Sequence, residues 1–477
     1  MMSPKRAQPL PQERPMTEPL WTASGIARVT GGVAAGDFDV HGVDIDSRGL
    51  AAEDLFVALA GARDGHDFVE QAMLNGAAGA LVSRPINAPH VLVPDSFKGL
   101  EALGVAARDR SSALRCAVTG SVGKTSVTQA VAAGLALAGR SHTSIKSFNN
   151  HIGVPLTLAR MPLATQRAVF EIGMNHADEI TPLVRMVQPQ AVAITTVGPV
   201  HLENFPDGEA GVARAKAEIF DGLAPGGTAV LNGDNPWFGF LKARAEGAGG
   251  RVLAFGSDED CAARLTGFEV TGGRARVSCL LHGQPLDFDL QQTGLHWGLN
   301  SLCTLLMLEA MDVDRGAALA ALRDFEPLAG RGAETRLVLE GGAATLIDES
   351  YNANPLSMNA ALRTLGARAV NGRRLAVLTD MLELGPDSLA MHAALAQLLE
   401  AAEVDQVFLA GPQMKSLWDA LPATRRGGYA EAAADLAPQV IDALAPGDVV
   451  MVKGSNGSRA GLIAAALVQR FRAGGGV

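Results

Sequence analysis

Residues Gly120 to Ser126 read GSVGKTS, and that spacing of glycines, lysine and hydroxyl can hold phosphate. Gly120 and Gly123 permit backbone conformations that a side chain disfavours. The N–H groups of Ser121, Val122 and Gly123 can then converge on phosphate oxygens where the next helix opens. Lys124 would neutralise the β- and γ-phosphates, and the Thr125 hydroxyl suits a magnesium ion. The loop is short. The common pattern is G-x-x-x-x-G-K-[ST], and Val118 stands where its first glycine would fall. A bare G-x-x-G more often marks a glycine turn. Lys124, Thr125 and the flanking strand and helix patterns shift the reading to a nucleotide.

Magnesium needs further oxygen or nitrogen ligands. Glu171, in AVFEIGMNHADEI, ends one apolar strand pattern, and His201, in AVAITTVGPVHLENF, follows another. In open α/β sheets ligands gather at the carboxyl ends of strands, so both can reach a phosphate loop on the same sheet. Either residue alone reads as surface or structural. Lys216, in the amphipathic ARAKAEIFDGL, is either a solvated helix lysine or one drawn into the metal site.

These residues need a scaffold. RCAVT, RAVFEIG, AVAITTVG and GTAVLNGD are short apolar runs separated by helical patterns, the signature of a parallel sheet with crossover helices. RVLAFG and ARVSCLLHGQPLDFDLQQTG then turn β-rich, which predicts an antiparallel extension, and HWGLNSLCTLLMLEAM returns to helix. Before this segment, DLFVALAG, GALVS and HVLVP predict a small α/β domain. After a linker at FEPLAGRGAETR, the runs AATLIDES, RLAVLTDM, QVFLAG and DVVMVKGS predict a third, Rossmann-like α/β domain. The expected boundaries are a flexible tail over 1–17, then domains over 18–97, 98–328 and 329–477. There is no repeat of fixed period.

Bulk properties agree with a folded, multidomain protein. The 477 residues exceed one ordinary domain. A formal charge of −10 argues against a general binder of nucleic acid or anionic membrane. Cys116, Cys261, Cys279 and Cys303 form no C-x-x-C pair, so buried thiols in a reducing compartment are expected. No apolar run reaches the roughly 18 residues of a membrane span, and QPLPQERPMTEP stands where a signal peptide would be apolar. The expected location is cytoplasmic.

TGSVGKTS, SFNNHIGVPLTL, FEIGMNHADEI, TTVGPVHLENF, AKAEIF, GRGAETR and DESYNANPLSM occur in this order over three domains. Together they resemble the Mur ligases of bacterial peptidoglycan synthesis, over nearly all of residues 40 to 460. SYNANPLSM and NNHIGVPLTL are most similar to the branch that joins D-alanyl-D-alanine to UDP-N-acetylmuramoyl-tripeptide. The resemblance implies an ATP- and Mg2+-dependent amide ligase working through an acyl phosphate, and an expected monomer. It assigns Lys124, Glu171, His201 and Lys216 to catalysis. Thr125, Glu171, His201 and Lys216 become metal-site residues, with Lys216 carbamylated in several family members.

The resemblance also implies ATP contacts at Ser126, Asn300, Arg331, Asp348, Tyr351 and Asn352. Trp297 replaces the first Asn of the family's H-N-x-x-N pattern, so it either stacks on adenine or belongs to the core. Ser47 and Arg48, in the DSR segment, match the uridine diphosphate end, although Arg48 can equally make a local ion pair. Asn149, Asn150 and His151 match the loop receiving the peptide-bearing substrate. Met381 to Gly385 and Lys453 to Arg459 resemble loops near the incoming dipeptide. Three alternatives remain: a diaminopimelate- or lysine-adding Mur ligase, a folylpolyglutamate synthase, and a nucleotide-binding scaffold without catalysis. The D-N-P at Asp234–Pro236 lies in the central segment, not in the third domain where the first alternative carries it. The DSR-containing first domain argues against the second, and the joint presence of Lys124, Thr125, Glu171, His201 and Lys216 against the third. Three domains sharing one site imply closure on ligands.

Overall fold

Four-residue apolar runs become fully buried strands, as expected where both faces of a parallel sheet are covered. The computed structural model describes residues 18–145 and 147–471. The tail expected over residues 1–17 lies outside them. The chain divides into two units. One runs to Ser111 and adds Leu158–Leu163, and the other comprises Ser112–Thr157 and the chain from Ala164 onward.

In the first unit, Asp54–Val57 and Gly79–Val82 are buried along their length. They pair in parallel with each other and with Gly42–Asp44 and His90–Leu92, while Val33–Ala35 closes the sheet antiparallel. Phe56, Val69, Ala72, Ala80 and Val82 form a core on one face. The Ser96–Asp109 helix starts at Asp95, whose carboxylate accepts the Phe97 and Lys98 N–H groups. The boundary expected at residue 97 therefore falls inside a helix, and the unit continues to Ser111. Arg160, on the added segment, pairs with Asp44 at 2.8 Å and Trp21 donates to the Ala159 carbonyl.

The second unit carries two sheets. The nine-stranded sheet has, from one edge, Ser141–Thr143, Arg167–Glu171, Leu114–Thr119, Ala191–Ile194, Thr228–Asn232 and Arg251–Gly256, all parallel. Ala263–Thr271, Arg274–Leu281 and Gln284–Leu290 follow as an antiparallel meander. The expected parallel sheet and its β-rich extension are thus one sheet. Register sets Glu171 beside Val118 and Ile194 beside Thr119. Three strands therefore end together around the GSVG loop. One core joins the Lys124–Leu137 and Trp297–Ala310 helices to this sheet. The two helices meet at Gly134, where a Cβ would lie 2.5 Å from a Leu308 methyl.

The six-stranded sheet runs Ala333–Leu339, Gly342–Glu349, Val449–Lys453, Arg374–Thr379, Gln406–Ala410 and Arg426–Ala430. All neighbours are parallel except the first pair. Helices cover both faces over two separate cores, one around Met358, Leu362 and Leu399, the other around Leu436, Ile463 and Leu467. This is the doubly wound, Rossmann-like pattern. Two strands lack the strong apolar run of the other four. Arg426–Ala430 is rich in glycine, and Ala333–Leu339 is an edge strand with alternating exposure that begins inside the expected linker. Among the described residues no helix is long and apolar enough to cross a membrane. The four cysteines are free and buried.

Candidate functional site

The phosphate loop is built by steric exclusion. Gly120 has φ +150°, and a Cβ there would sit 1.9 Å from Thr195 Oγ1. Gly123, at φ +86°, caps the Lys124–Leu137 helix. The Ser121 N–H donates to the Thr196 carbonyl at 2.8 Å, and the Ser121 hydroxyl lies 3.0 Å from the Gly198 carbonyl. The strand that ends at Ile194 thereby holds the loop that follows Thr119.

A cavity opens over this loop. From the middle domain it is lined by Ser121 to Ser126, Ser147, Asn149, Glu171, His296 and Asn300. From the C-terminal domain it is lined by Gly330, Arg331, Glu349, Tyr351, Asn352, Asn354, Lys453 and the start of the Pro355–Ala367 helix. Lys124 Nζ donates to the Gly120 carbonyl at 2.7 Å. Burial lowers its pKa, the Glu171 carboxylate opposes that fall, and the Arg331 charge adds to it. Thr125 Oγ1 donates to Glu171 Oε2 at 2.7 Å, and Arg331 donates to Thr125 Oγ1 at 2.9 Å. The other Glu171 oxygen accepts from Asn149 Nδ2 at 2.7 Å. Arg331 also stacks on Tyr351, 3.9 Å from the ring centroid. Lys453, 2 % exposed, pairs with Glu349 at 3.3 Å and donates to the Asn352 carbonyl. Lys124, Arg331 and Lys453 thus come together from two domains, an arrangement suited to a polyanion.

Among the described residues no three His, Cys, Asp or Glu side chains cluster as a metal cage. The Thr125 hydroxyl and Glu171 carboxylate nevertheless fit magnesium, which takes one or two protein oxygens and completes its shell with phosphate and water. His201 and Lys216 stand outside the cavity lining. His201 Nδ1 lies 2.5 Å from Glu383 Oε2 of the C-terminal domain. Burial lowers the His201 pKa, Glu383 opposes this, and the Lys124 and Lys216 charges lower it further. Lys216 is 2 % exposed, and its ammonium group makes no hydrogen bond or ion pair among the described residues. Burial and the Lys124 charge drive its pKa well below 10.5.

Other expected residues have different surroundings. Trp297 is 2 % exposed and packs on Phe325 in the core, so it is not an adenine platform. Asn300 remains in the cavity wall, its Oδ1 3.1 Å from where a Gly123 Cβ would be. Asp348 lies outside the lining and accepts from Gly330 N–H and Ser350 N–H, shaping the turn that carries Tyr351 and Asn352. Its neighbour Glu349 takes the cavity position, because successive strand residues face opposite sides. Asn150 Oδ1 accepts the Ile152 and Gly153 N–H groups, and His151 is exposed. In the first unit Ser47 is buried, with its carbonyl accepting from Asn75, and exposed Arg48 pairs with Asp46 at 2.8 Å. Sequence reasoning missed Ser147, His296 and Glu349. Glu349 and Lys453 both end strands, which was a usable signal.

Three family models match consecutive stretches: the Mur ligase family catalytic domain over residues 39–117, the Mur ligase middle domain over 118–308, and the Mur ligase glutamate ligase domain over 335–456. The UDP-N-acetylmuramoyl-tripeptide--D-alanyl-D-alanine ligase of Escherichia coli K12 is 34% identical, over 82% of this chain and 85% of its own. The chain belongs to the Mur ligase family. The corresponding Rickettsia prowazekii ligase is 28% identical to this Mur ligase, over 92% and 97% of the two chains. The crystal structure of MurF from Acinetobacter baumannii superposes with a TM-score of 0.82 at 26% identity, covering 94% of this Mur ligase and 99% of that chain. The MurF ligase of Thermotoga maritima, solved with ADP, shares the fold at a TM-score of 0.76 and 22% identity, over 90% and 99%.

Proposed function

We propose that this Mur ligase uses ATP to join D-alanyl-D-alanine to UDP-N-acetylmuramoyl-tripeptide in peptidoglycan precursor synthesis. The observation that carries the reading is the cavity in which Lys124, Arg331 and Lys453 from two domains surround the phosphate loop. The named activity of the relatives supplies the substrates.

The chemistry follows from the charges. The tripeptide carboxylate attacks the γ-phosphorus of ATP, and ADP leaves with the bond electrons. The dipeptide amine, having lost a proton, attacks the acyl carbon, and inorganic phosphate leaves. Two anions must approach in the first step, so cations that offset their repulsion and fix their geometry carry most of the catalysis. Lys124 and Arg331 serve that role, Asn300 and His296 border the base, and Asn149 orients Glu171. Thr125 and Glu171 would hold Mg2+, which would supply further charge stabilisation at the phosphates.

Lys216 is assigned to carbamylation. A buried amine kept neutral can attack CO2, lose a proton and become the anion that a metal site accepts. Full activity of Lys216→Ala without added bicarbonate would remove this assignment. The incoming dipeptide is assigned to the hollow lined by Asp380, Glu431, Leu382 and Arg459 at the carboxyl ends of the C-terminal sheet. Its carboxylates suit the ammonium, its guanidinium the carboxylate, and its leucine the methyl groups. Ser47 and Arg48 are assigned to the uridine diphosphate end. The enzyme acts as a cytoplasmic monomer in this reading.

ADP and phosphate release should require both UDP-tripeptide and D-alanyl-D-alanine. Nucleotide binding without that dependence would favour a scaffold. Diaminopimelate- and lysine-containing tripeptides, assayed side by side, identify the third residue.

A further inference from the structure

His201 is held by a carboxylate from a different domain, with Nδ1 and Glu383 Oε2 at 2.5 Å. An ionised carboxylate only accepts, so Nδ1 carries the hydrogen and the neutral ring bears its free lone pair on Nε2. Among the described residues, nothing else in the hydrogen-bond pattern of His201 selects between its tautomers. Both residues adopt left-handed backbone, His201 at φ 53° and Glu383 at φ 64°. That conformation is uncommon for residues with a side chain and persists where surrounding structure imposes it. The restraints around Glu383 are visible. The Met381 N–H donates to buried His392 Nε2 at 3.0 Å, and the Leu382 N–H donates to Ser455 Oγ at 3.0 Å. The Ser455 N–H donates to the Asp380 carbonyl, and Met381 and Leu384 are buried. The loop is thus anchored on both sides of Glu383, while the Glu383 side chain stays 49% exposed and its pairing with His201 takes no part in either core.

We propose that Glu383 is a positioning residue that fixes the Nδ1–H tautomer of His201 and so presents Nε2 as the site's lone-pair nitrogen. Hydrogen bonds of this kind orient histidines beside metals and raise their basicity. Because the carboxylate belongs to the C-terminal domain, His201 becomes competent only when the two loops meet. The proposal rests on the ligase reading for its consequence, and on geometry alone for the tautomer.

The test uses the full chain labelled with 15N-histidine, saturated with ADP, near pH 8. His201 ring nitrogens are assigned through His201→Asn. The wild type should show Nδ1 protonated and Nε2 bare. Glu383→Ala should average the two nitrogens, and Glu383→Gln, which keeps an accepting oxygen, should preserve most of the wild-type pattern. Mn2+ affinity, read by electron paramagnetic resonance, should weaken roughly tenfold in Glu383→Ala. Its kcat should fall to a similar extent with the KM for ATP changed less than threefold. An unchanged tautomer and Mn2+ affinity in Glu383→Ala, or Nε2–H in the wild type, would overturn the proposal and leave a simple surface ion pair. If wild-type ADP formation shows no dependence on the two substrates, the ligase reading fails, while the tautomer and Mn2+ readouts still decide the role of Glu383.

Discussion

Lys216 concentrates the electrostatic tension of the molecule in one side chain. Among the described residues it has no counter-charge; it is buried, beside the field of Lys124, and its pKa falls well below 10.5. In the unfolded chain the same amine keeps its proton up to about pH 10.5. Between the lowered folded value and 10.5 the unfolded state therefore binds more protons, and stability rises with pH. Lys216→Met should flatten this rise and raise stability at neutral pH. Urea titrations of both proteins at several pH values between 7 and 10 measure the difference; parallel curves would show that the lysine is not neutral when folded. Residue type and strand position made Lys124, Thr125 and Glu171 legible in the sequence. The partners of His201 and Asn149 were not legible, because they lie 182 and 22 positions away and depend on how loops fold back. The choice between core and adenine for Trp297 needed the packing against Phe325.

Among the elements, two loops repay separate tests. Gly120 combines φ +150° with a Thr195 oxygen where its Cβ would be. Gly120→Ala should lose about 1–3 kcal/mol of stability and most ATP affinity. Adding Thr195→Ala should recover part of the loss, since it removes the contact but not the backbone strain. Calorimetric titration with ATP distinguishes the three proteins. The Met381 to Gly385 loop depends on His392, which is fully buried, accepts from Met381 N–H, and donates from Nδ1 to the Ser388 carbonyl. His392→Leu leaves a buried donor unpaired and should cost about 1–3 kcal/mol, with kcat reduced roughly 10- to 100-fold through misplacement of the loop. His392→Gln should retain more of both in urea denaturation and turnover assays. Strong apolar runs gave away the central strands of both sheets. The edge strand Ala333–Leu339 and the glycine-rich Arg426–Ala430 escaped, because neither concentrates apolar residues.

At the scale of the whole molecule, one cavity draws on parts from separate segments of the chain. The phosphate loop and Glu171 come from the middle domain, and Arg331, Glu349 and Lys453 come from the C-terminal domain. Substrates that contact several domains should draw them together and shield the acyl phosphate from water. Solution scattering should give a smaller radius of gyration with ADP, UDP-tripeptide and a phosphinate dipeptide analogue than with no ligand. Identical curves would count against closure. The three-part organisation was readable from changes in strand pattern. The Ser96–Asp109 helix runs across residue 97, where the first boundary is expected.

The glycine contact between the Lys124–Leu137 and Trp297–Ala310 helices has a mechanical consequence. The first helix opens at the phosphate loop, and Asn300 rides on the second. Gly134 lets the two rods touch with no spacer, so the gap at the cavity end is calibrated roughly two to three helical turns away from it. Gly134→Ala inserts a wedge against Leu308, and the lever so formed should detune nucleotide recognition without touching the nucleotide. A weaker ATP affinity at nearly unchanged dipeptide KM would reveal the calliper, and Leu308→Ala in the same chain should reset it.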